Sequence, residues 1–160
     1  MAKFLMVETI YSEKVLTTRV GTTVAPLTQK DAGKAVKLIA ESNYGLAAAG
    51  DAIEAVVSSS NHDTQGTVDG FAIGGVVSKG FKAVKFDGLQ ATPGVGVVAV
   101  GDYVVTGTVV ATGTKLTGPL KVTKATDQAA AKAAPFKARV VSLGDAGTGA
   151  VGTVGLIEML

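Results

Sequence analysis

Residues 34–39 read Lys34-Ala35-Val36-Lys37-Leu38-Ile39, and lysines and apolar residues roughly alternate along this stretch. Successive side chains of a β-strand point to opposite faces of the sheet. The alternation therefore predicts a strand with one face on a core and the other in solvent. A second stretch, Lys82-Ala83-Val84-Lys85-Phe86, shows the same pattern less regularly. Both indicate a protein built from short β-strands.

Glycine divides the whole chain into short segments rich in valine, threonine and isoleucine. The sequence has 21 glycines, and Asp69-Gly70 and Asp87-Gly88 are dipeptides typical of hairpin turns. Many short strands joined by tight turns follow from this pattern. We predict strands at Val15–Val20, Ala35–Ala40, Ile53–Ser58, Thr67–Ser78, Lys82–Phe86, Val95–Val100, Tyr103–Ala111, Leu120–Thr123, Phe136–Leu143 and Thr153–Leu160. The fold class is all-β: a Greek-key or jelly-roll-like barrel or sandwich of about eight to ten short strands.

Helical signals are few, so we expect at most one or two short helices. The alanine-rich stretch from Thr126 to Ala134 has an N-cap candidate in Thr126 and a stop at Pro135. Two helical turns and an alanine-rich loop are both compatible with it. A single turn is the most that Gln29–Ala32 could form.

The dipeptides Gly50-Asp51 and Gly101-Asp102 each precede a predicted strand, as a weak repeat of one turn device. The residues around them do not correspond, so they do not predict a repeat protein. We expect residues 1–160 to form one β domain, with residues 1–14 as a candidate extended N-terminal arm.

Composition excludes several classes of protein. The 160 residues (16.0 kDa) are 47% hydrophobic and 18% charged, with no cysteine and one histidine, His62. Disulfide frameworks, cysteine-ligated metals and multi-histidine metal centres are therefore excluded. Fifteen lysines and arginines against 13 acidic residues argue against nucleic-acid binding. The most apolar interior run, Val95–Val100, is far below the ~20 residues of a membrane helix. No targeting segment is visible, so we expect a soluble protein without membrane contact.

Residues 147–152, Gly-Thr-Gly-Ala-Val-Gly, fit the dinucleotide-binding pattern G-x-G-x-x-G. That pattern binds a cofactor when it opens a helix inside a βαβ unit, with an acidic residue about 20 positions later. Only eight residues follow Gly152, so a glycine-rich turn between two strands is the better interpretation.

Residues for acid–base chemistry are scarce. His62 and Asp63 are the only neighbouring histidine–carboxylate pair, and they fall in a polar segment that we interpret as a solvated loop. A pair of carboxylates for glycoside hydrolysis could be drawn from Asp51, Glu54, Asp87, Asp102 and Glu158. The aromatic platforms of a sugar cleft are scarce, because the chain has no tryptophan. We therefore predict no enzyme activity, no cofactor and no metal site.

Candidate interaction residues come from three features. Lys34 and Lys37 belong to a lysine stripe that is either a solvated strand face or a contact for an acidic partner. Tyr11 and Tyr44 are either partly buried core residues or interface anchors. Ile157 and Met159 lie in a C-terminal strand that is apolar on both faces. That strand is covered either by a subunit or capsid surface or wholly within one chain.

Two regions resemble small head decoration (cement) proteins of tailed bacteriophages. The first comprises residues 31–38, Asp-Ala-Gly-Lys-Ala-Val-Lys-Leu, and residues 48–57, Ala-Ala-Gly-Asp-Ala-Ile-Glu-Ala-Val-Val, which are similar to the family's "G-K-x-V-K-L" and "G-D-x-I-x-G-V-V" strands. Ala55 stands where the family often has glycine. The second comprises residues 138–143, a glycine-rich turn, and residues 151–158. In all, the likeness covers about two thirds of the chain.

The resemblance implies an all-β protein that binds the outside of an icosahedral capsid, bridges major capsid protein subunits and assembles as a dimer or trimer around a symmetry axis. It implies no catalytic residues and a virion location after synthesis in the host cytoplasm. The alternative from another class is a small carbohydrate- or cell-surface-binding β module.

Overall fold

Ten strands account for most of the regular structure in the computed structural model, which describes residues 15–22, 25–60, 72–88 and 97–160. The strands are β1 (Val15–Val20), β2 (Ala35–Ala40), β3 (Asn43–Leu46), β4 (Ala55–Ser60), β5 (Ala72–Val77), β6 (Gly80–Phe86), β7 (Tyr103–Thr106), β8 (Leu120–Lys124), β9 (Ala138–Ser142) and β10 (Val154–Met159). A 3₁₀ turn at Gln29–Asp31 precedes β2, and a short helix α1 at Gln128–Ala133 follows β8. The predicted all-β class is confirmed.

The strands form two closed five-stranded barrels that follow each other along the chain. The first barrel has the order β1-β3-β2-β4-β5, and the second has the order β6-β8-β7-β9-β10. In each barrel the first and third strands pair in parallel, and every other pairing is antiparallel. One chain therefore folds the same topology twice.

Nine of the ten predicted strands correspond to an observed strand, two of them with the predicted bounds. The predicted strand Tyr103–Ala111 is shorter in the structure and ends at Thr106, although the amide of the next residue, Gly107, still donates to the Lys121 carbonyl of β8. At Val95–Val100 the structure has only an isolated bridge from Val98 to Gly149, and residues 95–96 lie outside the described residues. The short strand β3 was not predicted.

Both predicted helical segments are present in short form. The helix α1 begins one residue later than expected, because Asp127 rather than Thr126 is its N-cap and accepts from the amide of Ala130. The 3₁₀ turn has a capping box. The Thr28 side chain accepts from the amide of Lys30, and the Asp31 carboxylate accepts from the amide of Thr28.

Two clusters of buried apolar side chains make up the core. One fills the first barrel, and the other fills the second barrel and extends between the two. Ala35, Val56 and Val77 join the second cluster from the outer wall of the first barrel, and they are cross-strand neighbours in the β2–β4–β5 register. The flanking Ala55 and Val57 point into the first barrel. Residues 55–57 are continuously apolar because this wall is buried on both sides.

The registers relate the barrels residue by residue. The pairing of the fifth strand with the first makes Ile73 equivalent to Val154 and Gly74 equivalent to Gly155. The pairing of the second strand with the fourth makes Val36 equivalent to Val104. A β-bulge occurs at the same point of both fourth strands, between Val57 and Ser59 and between Val140 and Ser142. A bulge changes the local twist of a strand, so a shared bulge indicates a shared barrel geometry.

Backbone hydrogen bonds outside the strands repeat at corresponding positions. Gly33 N donates to Val57 O at 2.8 Å in the first barrel, and Gly101 N donates to Val140 O at 2.8 Å in the second. Both glycines have positive φ, 86° and 93°, a conformation that glycine adopts without steric cost. The equivalent turns are therefore Gly33-Lys34 and Gly101-Asp102, whereas the sequence suggested Gly50-Asp51 as the counterpart of Gly101-Asp102.

Candidate functional site

A buried ion pair lies at the junction of the two barrels. Lys34 Nζ is 2.5 Å from Asp31 Oδ1, and the two side chains are 4% and 0% exposed. Lys34 Nζ also donates to the carbonyl of Ala111, and the Asp31 carboxylate accepts from the amide of Gly113. Because residues 111–113 belong to the β7–β8 connection of the second barrel, this pair connects the barrels through charge-assisted hydrogen bonds.

The Asp31 carboxyl is held in its ionised form. Burial alone would raise its pKa, but the hydrogen bonds from Lys34, Thr28 and Gly113 together outweigh burial and lower the pKa below its usual value. A charged carboxylate with several donors is rigid in geometry. We conclude that the junction is a structural connection with fixed orientation.

The prediction of a solvated lysine stripe is wrong for Lys34, which is 3% exposed and has no side available for an acidic partner. The reason is Asp31, which lies three residues earlier and supplies the counter-charge that makes burial of the ammonium tolerable. Lys37 remains partly exposed and forms an ion pair of 2.6 Å with Asp51.

The other candidate interaction residues have different environments. Ile157 and Met159 are 0% and 3% exposed in the core, so the structure contradicts their assignment to an outer contact. Strand β10 is paired on both edges, with β6 and β9, and this chain itself covers the core face. Tyr44 is 9% exposed. Its burial, which is the larger cause, and the nearby Glu54 carboxylate both raise the pKa of the phenol group. Tyr11 and the pair His62 and Asp63 lie outside the described residues.

A groove with an apolar wall opens beside β1, and we call it the β1 groove. Its volume is about 580 Å³, and its lining includes Leu16, Thr18, Leu38, Tyr44 and Ile73. Leu16, Leu38 and Ile73 are 45%, 50% and 52% exposed, among the most exposed large aliphatic residues of the described chain. Exposed aliphatic side chains gathered around one groove are typical of a binding surface.

The β1 groove also has a backbone edge. Strand β1 pairs with β5 through all six residues but with β3 only through Arg19 and Val20. The amides of Arg19 and Gly21 donate towards β3, to the carbonyls of Ser42 and Tyr44. By strand alternation the amide and carbonyl of Thr17 point the same way, and β3 does not extend that far. The described chain therefore leaves the first half of β1 as a strand edge.

The corresponding part of the second barrel is filled. By strand register, the residues of the second barrel equivalent to Thr18, Ser42 and Tyr44 are Val84, Leu120 and Val122. Val84 and Val122 are 0% exposed, and Leu120 is 8% exposed. The first barrel has Ser42 where the second has a leucine that packs into its core. Sequence reasoning missed the groove, because the difference becomes visible only when the two barrels are superposed by register.

A second cavity, of about 510 Å³, lies between α1 and the Gly50-Asp51 turn, and half of the residues that line it are alanines. Asp51 and Asp127 are its acidic residues, and each already accepts a backbone amide, from Ala48 and Ala130. The other carboxylates considered for glycoside chemistry are engaged too. Glu54 accepts from Leu38 N, Asp87 from Thr108 N and Asp102 from Ala99 N, while Glu158 pairs with Arg139. These carboxylates stabilise turns and strands.

The glycine-rich residues 147–152 have no helix after them. They are followed by β10, and Gly149 forms the bridge to Val98. A Cβ atom on Gly149 would collide with the Val98 carbonyl. Close backbone approach explains this glycine, and the motif lacks the helix N-terminus that binds a pyrophosphate.

Two further observations on the structure and one comparison with known proteins bear on the function. Within the described ranges, no group of three or more histidine, cysteine or acidic side chains could hold a metal ion. No helix in the described part of the chain has the length and apolar character to cross a membrane. No protein-family model, curated protein or solved structure matches the chain.

Proposed function

We propose that the protein decorates and stabilises the outside of an icosahedral phage capsid by bridging neighbouring major capsid protein subunits. The observation that carries the proposal is the rigid junction of the two barrels, with its continuous apolar core and the Asp31–Lys34 network. A bridge resists separation of two subunits only if its halves do not hinge. The resemblance of residues 31–38 and 48–57 to head decoration proteins supports the same function.

The proposed mechanism is clamping without chemistry. Each copy contacts more than one capsid subunit, and contacts of modest strength are multiplied by the high effective concentration on the lattice. Contacts between copies, as a dimer or trimer, would add to this effect. Static light scattering at tens of micromolar protein tests self-association in the absence of capsids, and a monomer mass would leave the lattice as the only site of assembly.

The test compares particles from the phage with the gene deleted and with the gene restored. We expect mass spectrometry of purified heads to detect the chain in many copies, and heads without it to rupture at lower temperature. The gene is also restored as the variant Asp31→Asn, which weakens the junction of the barrels. The variant Asp102→Asn removes an ion pair at the turn of the second barrel and serves as its control. The proposal would be contradicted if purified heads of the wild-type phage did not contain the chain.

The carbohydrate-binding alternative predicts saturable glycan binding by the isolated protein. Sugars commonly stack on aromatic side chains, and none of the described residues that line the cavity beside α1 is aromatic. A glycan array with the isolated protein would distinguish the two functions, because a pure decoration protein should give no saturable signal.

A further inference from the structure

We propose that the β1 groove binds an extended chain segment of a partner protein, which pairs with the edge of β1 and inserts one leucine-sized aliphatic side chain. The proposal concerns the groove itself and does not depend on the partner being a capsid protein. It rests on the comparison of the two barrels, in which the second shows what fills the place that the first leaves open.

The side-chain part of the argument comes from register. Leu120 and Val84 occupy positions of the second barrel that Ser42 and Thr18 occupy in the first. Leu120 is 8% exposed and belongs to the core, whereas the first barrel has a groove of about 580 Å³ at this point. The shape that the barrel geometry accommodates here is therefore a leucine side chain.

The backbone part of the argument comes from β1. The amide and carbonyl of Thr17 point to the same side as the Arg19 amide, which donates to Ser42 O, but Thr17 lies before the first residue of β3, Asn43. A sheet binds an extended peptide by pairing with it at a strand edge, while apolar pockets accept alternate side chains of the peptide. Backbone pairing would supply affinity, and Leu16 and Leu38, which lie on the same face of the sheet as the core residues Val20 and Tyr44, would contact the inserted side chain.

The exposed charges near the groove do not favour a charged occupant. Arg19 lines the groove and is itself engaged in an interaction. The remaining wall is aliphatic, hydroxylic or phenolic, from Leu16, Thr18, Leu38 and Tyr44. Burying an unpaired charge against such a wall is costly, so the inserted side chain is apolar.

The test uses the full chain, NMR spectroscopy and three synthetic peptides. The first peptide, KTVLVTK, can pair as a strand and carries a central leucine. The second, KTVDVTK, replaces that leucine by aspartate. The third, KTPLPTK, keeps the leucine but has proline in place of the backbone donors next to it. We expect only the first peptide to shift the resonances of Leu16, Leu38 and Ile73 and to slow hydrogen exchange of the Thr17 amide.

Matched variants test the location. Ile73→Glu should weaken binding of KTVLVTK by about tenfold or more, because it places a carboxylate at the groove. Val154→Glu changes the equivalent position of the second barrel, which is 46% exposed, and should leave binding unchanged within about twofold. Circular dichroism and thermal unfolding of both variants confirm that each is folded.

Several results would overturn the proposal. Absence of binding by KTVLVTK would remove the site. Equal binding of the proline peptide would show a hydrophobic pocket without strand pairing, and equal binding of the aspartate peptide would remove the leucine pocket. Groove resonances that shift on dilution of the protein alone, together with a dimer mass, would assign the groove to a second copy of this chain. None of these experiments uses capsids, so their failure and failure of the decoration function are distinguishable.

Discussion

The two barrels share a backbone but differ in how side chains fill it. Strand order, bulge position and the glycine turns at Gly33 and Gly101 correspond, and so do the hydrogen bonds that these turns make. The interiors differ in volume: Val20 of the first barrel corresponds to Phe86 of the second, and Ser42 corresponds to Leu120. The comparison teaches that the hydrogen-bonded ladder determines the barrel, whereas side-chain volume determines whether the barrel is closed to solvent.

The largest difference between the barrels should appear on truncation of corresponding core residues. Phe86→Ala should lower the free energy of unfolding by about 3–5 kcal/mol. Val20→Ala should lower it by about 2 kcal/mol, because it removes two methyl groups and leaves a smaller cavity. Urea denaturation followed by circular dichroism measures both.

The same experiment tests the shared core. Because Ala35, Val56 and Val77 of the first barrel pack into the core of the second, we expect one cooperative transition for the wild type and both variants. Two separate transitions, or equal losses for the two substitutions, would contradict this comparison.

The two turns differ in their ion pairs. Asp31→Asn leaves the buried Lys34 ammonium without its counter-charge and should cost about 3 kcal/mol of unfolding free energy. Asp102→Asn removes a partly exposed pair with Lys124, 2.8 Å apart, and should cost less than about 1 kcal/mol. Thermal unfolding at neutral pH measures the difference, and a larger loss for Asp102→Asn would reverse our ranking of the two turns.

The glycine turns should respond alike. Gly33→Ala and Gly101→Ala each place a side chain at positive φ, which costs about 1–2 kcal/mol. Space is not the obstacle: a Cβ on Gly101 meets nothing within 4 Å, and one on Gly33 meets only the Leu116 side chain at 3.6 Å. Chemical denaturation should give equal losses within about 0.5 kcal/mol. Unequal losses would show that the turns are not equivalent in strain.

The smallest expected effect is a pH dependence that belongs to the first barrel's turn. The pKa of Asp31 is lowered in the folded protein, so its stabilising contribution is fully present above the unfolded-state pKa of about 4. The contribution is lost as the pH falls through the lower folded-state pKa. The stability difference between wild type and Asp31→Asn should therefore shrink below about pH 4. A difference that stays constant down to pH 2 would exclude a lowered pKa.

Local sequence signals predicted the elements that depend on neighbouring residues. The strands β1 and β2 have the predicted bounds. Of the two alternatives for the stretch before Pro135, the helix is present, and the segment Gln29–Ala32 forms the single turn that was the most expected of it. These signals work because strand alternation, capping and positive φ are decided within a few residues. Strand β3 escaped prediction because its four residues, Asn43–Leu46, are too short to show a period.

The candidate site could not be predicted because its determinants are distant in the chain. Lys34 has the sequence context of a solvated strand, yet it is buried by a carbonyl 77 residues away and by Asp31, which in turn accepts an amide 82 residues away. Ile157 and Met159 looked available for a partner because β10 is apolar on both faces, but β6 and β9 pair with both its edges. Pairing between distant strands decides these environments.

Local stereochemistry was enough to predict an all-β chain of short strands joined by glycine-containing turns, with either two helical turns or an alanine-rich loop before Pro135. Tertiary structure alone decided that the strands close into two barrels of one topology, that the walls between them are buried on both sides and that a groove remains open beside β1. The physical reason is that barrel closure and filling depend on the register and volume of side chains from strands far apart in sequence, and no local period encodes that sum.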